Sequence, residues 1–202
     1  MKKNLLLAIA TLFICNSIKA EDGFAKSIIA GFAPVGYHHV GITHKDDKFK
    51  YDYKSYWSAN LGYEKQFGGT TLLSQFFYSQ GKFDKYEVKG ATDYFDPYQQ
   101  ENVFSVGVTQ FVGTTINKYG RVQFPIYFGP GVEYMKGGPL HNIIGHLAVL
   151  ARLKFYVTDN IGIYVGGSAR VGYGYKGGSK EKGRYTIVPT TAYADAGLVF
   201  SF

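Results

Sequence analysis

The chain of 202 residues carries one cysteine, two methionines and one tryptophan. A single thiol, Cys15, leaves no internal disulfide and no thiolate metal site, so the fold must hold without cross-links. No apolar run reaches the ~20 residues that a membrane-spanning helix needs; the stretch Leu5 to Cys15 covers only eleven positions. The sequence has no internal repeat, low-complexity tract or linker. It also has no glycine-rich phosphate cradle, nucleic-acid patch or metal-ligand cluster. The adjacent His38 and His39 have no spacing that specifies a metal, so no cofactor, metal or nucleic acid is expected.

What the chain does have is 18 tyrosines, 16 phenylalanines and 26 glycines. That mixture suits strands, tight turns and aromatic belts. Lys2 and Lys3, the short apolar run and Ala20 form a basic region, a hydrophobic region and a small residue at a cleavage point. Residues 1–20 therefore read as a signal peptide and 21–202 as one exported domain. Ile14 stands where a lipoprotein signal needs a small residue, so Cys15 belongs to the hydrophobic region. Loss of Lys2, Lys3 and Lys19 lowers the formal net charge from +7 to +4, a weak indication of any partner.

Segments of alternating polarity recur along the chain. In "YKSYWSANLGYEK", Tyr53, Trp57, Ala59, Leu61 and Tyr63 oppose Lys54, Tyr56, Ser58, Asn60 and Glu64. "RVQFPIYFG", "NIIGHLAVLARLKFYV" and "IGIYVGGSARVGYGY" behave alike. A period of two places the two sets on opposite faces of a strand. With 24–34, 70–80, 101–112 and 185–202, the segments number eight, and they match or exceed the ~9–11 residues that cross a bilayer at a tilt. The breaks alternate: 67–70, 113–120 and 158–160 are short, 35–52 and 81–100 long and charged, 135–142 and 176–184 intermediate. Short turns at one end and longer loops at the other describe an outer-membrane barrel with both termini periplasmic. A soluble antiparallel barrel such as a lipocalin also alternates, but it buries its apolar face. Ionisable residues on the less apolar face, aromatics near strand ends and the signal peptide favour the membrane.

The closing segment "AYADAGLVFSF" puts Ala192, Ala194, Ala196, Leu198, Phe200 and Phe202 on one face and Tyr193, Asp195 and Ser201 on the other. A barrel must pair its last strand with its first, because an open edge in lipid leaves unsatisfied backbone groups. On these residues and on "LKFYVTDNIGIYVGG" the chain resembles the small eight-stranded outer-membrane barrels of the OmpA/OmpX kind, over residues ~21–202. The resemblance implies an all-β, eight-stranded antiparallel up-and-down transmembrane barrel in a Gram-negative outer membrane. It also implies that Leu198, Phe200 and Phe202 form the signal read by the barrel-assembly machinery.

Inward positions carry Glu64, Arg121, Glu133, Arg152, Lys154, Arg170 and Asp195. An eight-stranded barrel is just wide enough for side chains to fill, so these charges are expected to form a paired plug, with Asp195 facing Arg170 and Glu64 facing Arg152. A small porin is the alternative. Pro125 and Pro130 fall inside a strand where each removes a ladder donor, which is expected to give either a bulge or a lateral gap. His38 or His39 with Asp46 or Asp47, and His146 with Glu133, are the candidate bases and orienters of a lipid A-modifying enzyme, although no serine has a matching spacing. The expected function is a monomeric, non-enzymatic barrel with a structural or surface-interaction role. Its partners would be outer-membrane lipids and lipopolysaccharide, the assembly machinery and an unidentified extracellular ligand. Loop residues Tyr86, Tyr94, Phe95 and Tyr98, and the basic Lys176, Lys180, Lys182 and Arg184, are candidates for contact with that ligand or with lipid phosphates.

Overall fold

The computed structural model describes residues 26–44, 47–88, 91–93, 102–117, 120–137, 140–176 and 185–202. Residues 1–20, read from the sequence as a signal peptide, Asp46, the aromatics at 94, 95 and 98 and the basic residues at 180, 182 and 184 lie outside the described residues. The described chain is strand and turn: β1 (Lys26–His44), β2 (Asp47–Phe67), β3 (Thr70–Val88), β4 (Ala91–Asp93), β5 (Asn102–Ile116), β6 (Val122–Gly137), β7 (Leu140–Tyr156), β8 (Ile161–Lys176) and β9 (Tyr185–Ser201). Eight of these close a ring of antiparallel neighbours, β2 to β1 to β9 to β8 to β7 to β6 to β5 to β3 and back to β2. The short β4 pairs only with the top of β3.

Closure joins the two ends of the described chain. Lys26 N–H donates to Phe202 O at 3.2 Å and Phe202 N–H donates to Lys26 O at 2.9 Å. This answers why the last strand can be apolar to its final residue: no backbone edge is left open. The turns at this end are tight. Gly68 and Asn117 take φ values of 54° and 55°, a left-handed conformation open to glycine and asparagine. Asn117 also donates from Nδ2 to Val122 O at 2.7 Å. In the third turn Thr158 Oγ1 accepts from the backbone N–H of Asn160 and Ile161.

The wall is taller than the sequence alone suggests. Segment 35–52 is not a long loop, and residues 81–88 of the segment 81–100 are strand. β1 continues to His44 and β2 begins at Asp47, with His44 opposite Asp47 and Val40 opposite Tyr51. β3 likewise runs to Val88. Charges at Lys48, Lys50 and Asp52 gave this stretch the look of a loop. They alternate, however, with Tyr51 and Tyr53, which face Val40 and Ile42 inside a buried apolar cluster with Phe83, Val103, Met135, Ile144 and Ile187. Tyr53 points inward rather than sharing the face of Trp57, because a register shift lies between Lys54 and Trp57. A second cluster, nearer the tight turns, holds Ile29, Leu73, Phe111, Tyr127, Ala148, Leu150, Tyr164 and Val199.

Outward positions are apolar and exposed on strand after strand: Phe76, Val112, Phe128, Leu147, Val149, Ile163, Val165, Val171, Leu198 and Phe200. In a water-soluble barrel these would be a liability; against lipid they are solvated. No helix among the described residues is long and apolar enough to cross a membrane.

Candidate functional site: the lumen and the outer rim

The lower lumen, toward the tight turns, is crossed by two ion pairs. Arg152 on β7 lies opposite Gly166 on β8, and Gly166 lies opposite Asp195 on β9. The glycine between them has no side chain, so the guanidinium crosses it and Nη2 donates to Asp195 Oδ2 at 3.0 Å. Asn60 and Tyr164 donate to the same oxygen at 3.2 and 2.9 Å. Tyr164 in turn lies under the guanidinium, 4.4 Å from its ring centroid. It fits only because Gly31 and Gly197 face it; a Cβ at either would collide with the phenol. One level lower, Lys154 Nζ reaches across from β7 to Glu64 on β2, at 2.6 and 2.7 Å to the two carboxylate oxygens. The Tyr127 hydroxyl donates to the same carboxylate. Arg152, Lys154, Glu64 and Asp195 are all buried.

Arg170, higher in the lumen, is held differently. Its guanidinium stacks on Phe77 at 3.8 Å and approaches the Tyr193 ring at 5.6 Å. Nη2 donates at the limit of bonding to Tyr56 Oη (3.4 Å) and Ser79 Oγ (3.5 Å). Glu133 stands 3.9 Å from Nη1. His38 stacks on Tyr56, with ring centroids 4.7 Å apart, and hydrogen-bonds Thr191 Oγ1 at 2.9 Å. His146 Nε2 hydrogen-bonds Thr109 Oγ1 at 2.8 Å.

These contacts revise several expectations. Asp195 pairs with Arg152, not Arg170, and Glu64 with Lys154, not Arg152. Arg170 lies opposite Thr191, four residues along β9 from Asp195 and so ~13 Å away along the strand. Arg121 is exposed at the turn before β6 and takes no part in the lumen, because the inward alternation starts at Gln123. Pro125 and Pro130 form neither a bulge nor an open seam. Pairing lapses beside Pro125 toward β7 and beside Pro130 toward β5, then resumes in the same register. A lateral gap is not formed at either one; two residue pairs drop out beside each proline and the ladder then continues. Glu133 sits by Arg170, and His146 has Thr109 as its hydrogen-bond partner. His38 is buried in the lumen, and the histidine that meets a carboxylate is its neighbour His39, at 2.6 Å from Asp52. Asn60, Tyr56, Tyr127 and Tyr164, which complete these clusters, had one sequence signal: polar or phenolic residues on the face opposite the apolar set.

Outside, six rings form a continuous slanting belt, which starts on the middle of the wall at β1, β2 and β3 and reaches the upper rim at β5, β6 and β7. Phe32, Trp57, Tyr78, Phe104, Tyr134 and His141 follow one another across β1, β2, β3, β5, β6 and β7, with successive centroids 5.8, 5.4, 6.4, 6.3 and 5.5 Å apart. Leu198, Phe200 and Phe202 face outward at the opposite end of β9, exposed to lipid.

A closed ring of eight tilted strands with an apolar exterior and a charged, packed interior is the outer-membrane barrel fold, and solved structures bear this out. No known family profile matches the chain, and no curated protein matches it. OprG from Pseudomonas aeruginosa shares the fold at 9% identity and a TM-score of 0.52, over 88% of this chain and 95% of that one. Neisserial surface protein A aligns at 14% identity and a TM-score of 0.48, over 91% of this chain and all of that one. Ail of Yersinia pestis, solved in complex with the heparin analogue sucrose octasulfate, aligns at 15% and 0.38, over 87% and 99%. The fold is thus the one solved for the outer-membrane protein OprG.

Proposed function

We propose that the protein is a non-enzymatic outer-membrane barrel whose lumen is closed by its own side chains and which acts through its outer surface. The observation that carries this is the filled lower lumen. Lys154–Glu64 joins β7 to β2 on the opposite side of the ring, and Arg152–Asp195 spans β7 to β9 with Asn60 of β2 hydrogen-bonded to both, the charged side chains almost wholly buried. A water-filled porin needs more strands and a lumen free of such bridges. Against the enzyme, the hydroxyls that meet His38 and His146 belong to threonines facing the interior, and among the described residues no carboxylate orients either ring. Acyl transfer needs a nucleophile, a base and an orienting group together.

The test is planar-bilayer conductance of the purified protein, run beside an assay of lipid A modification. The expected result is no steady conductance and no turnover. A large, steady conductance would replace this reading with a small channel. Turnover abolished by His38→Ala or His146→Ala would replace it with an enzyme. For biogenesis, Leu198, Phe200 and Phe202 are proposed as the assembly signal. Deleting Phe202 should slow insertion and leave periplasmic aggregates, whereas normal surface levels of the shortened chain would remove that role.

A further inference from the structure

Two adjacent outward rows, at the rim of β5, β6 and β7 and on the neighbouring stretch of β3, combine basic, amide and aromatic side chains. In one row Gln80, Phe104, Lys136 and His141 lie opposite one another in turn. In the row above, Lys82 lies opposite Asn102. The row below is apolar and aromatic: Tyr78, Val106, Tyr134 and Ile143. Neighbouring strands are ~4.8 Å apart, so Lys136 and His141 leave the wall side by side, with Tyr134 edge-on to His141 at 5.5 Å. Lys82, Asn102, Lys136 and His141 are all exposed. No carboxylate shares these two rows among the described residues; the closest outward acid on β3 is Asp84, one place above Lys82. The rim of β1, β2 and the upper part of β3 is the opposite case. There Lys50 is paired with Glu87 at 3.2 Å and His39 with Asp52 at 2.6 Å.

We infer that the β3–β5–β6–β7 rim docks the phosphate of an outer-leaflet glycolipid. Aromatic belts mark the level where hydrocarbon gives way to headgroups. Basic side chains standing directly on such a belt meet phosphate at that depth, with their stems along the apolar wall. Gln80 and Asn102 add amide donors for oxygens that the lysines do not reach. A soluble anion would gain nothing from the aromatic row beneath; a lipid uses both, its phosphate on Lys136 and Lys82 and its chains along Tyr78, Tyr134 and Ile143. The inference rests on the surface half of the reading above and not on the closed lumen. A conducting barrel would therefore sink that reading and leave this one standing.

The experiment uses the full chain in phosphatidylcholine nanodiscs, titrated with bis-phosphorylated lipid A and read by native mass spectrometry. A heat-induced change of gel mobility establishes that each variant is folded. Lys136→Gln should weaken lipid A retention about five-fold, the equivalent of ~1 kcal/mol for one basic residue at a lipid surface. Lys136→Gln with Lys82→Gln should weaken it roughly twenty-fold, Lys136→Arg should retain it, and Lys50→Gln should leave it unchanged. Equal retention of dephosphorylated lipid A would overturn the proposal, as would an equal loss in Lys50→Gln. Displacement by millimolar inorganic phosphate would also overturn it, since the rows would then serve a free anion.

Discussion

Arg152 and Arg170 point into the same lumen, and both are buried, yet the barrel keeps their charges in different ways. Arg152 meets a carboxylate at 3.0 Å that also gathers an amide and a phenol. Arg170 lies between aromatic faces, with its carboxylate at 3.9 Å and its hydroxyl partners at 3.4 and 3.5 Å. The first arrangement is a direct ion pair whose partners depend on each other. The second spreads the charge over ring quadrupoles and several weak acceptors. A buried ion pair is costly to break by halves and cheap to remove whole, whereas an arginine among rings loses one contact at a time. The lower lumen should therefore behave as a coupled unit and the upper lumen as a set of separable contacts.

The largest expected effect tests that coupling. Asp195→Asn or Arg152→Gln alone should destabilise the folded barrel by ~3–5 kcal/mol, and the double variant by much less than the sum. Urea unfolding in lipid vesicles measures it; additive losses would erase the distinction between the two levels. Next comes an arginine with neither kind of support. Val165→Arg, on the lipid face and opposite Ala196 of β9, should cost ~2–4 kcal/mol near the midplane, and a neutral result by the same measurement would move the membrane away from this band. Third, Phe77→Leu should cost ~2 kcal/mol, from the lost ring contact with Arg170. The loss should persist when Glu133→Gln is added, because ring and carboxylate act independently. Smallest is Lys50→Gln on the exposed rim, where the pair with Glu87 contributes under ~1 kcal/mol and fades with salt.

The fold was legible because its pattern is local. The parity of β9, from Ala192 to Phe202, states which face meets lipid before any partner strand is known. Pairing is not local. Which inward charges meet depends on the stagger of adjacent strands, and in sequence Gly166 looks like a spacer rather than the opening through which Arg152 reaches Asp195. Composition also misled where it outweighed period. The charges of 47–52 and the histidines at 38 and 39 looked like loop, while Val40, Ile42, Tyr51 and Tyr53 kept a strand alternation through the same stretch. Arg121 failed for a related reason: one residue short of the strand, it has no face. The basic and aromatic rim could not be read at all from the chain, since Gln80, Phe104, Lys136 and His141 are brought into line only by three separate registers.

The tall part of the wall has a consequence of reach. β3 continues six residues past Lys82, its last position opposite β5. At ~3.3 Å per residue that is ~20 Å of chain before tilt. Its partner β2 rises with it, and Lys50 on β2 pairs with Glu87 on β3 along this flank. The mouth of the barrel is therefore slanted. A large soluble molecule descending through the carbohydrate outside the membrane meets this parapet first, from one side only, and the low rim of β5, β6 and β7 lies in its shadow. Among the described residues, the parapet stands open to a large soluble partner, whereas the low rim lies closer to the level of the lipid headgroups.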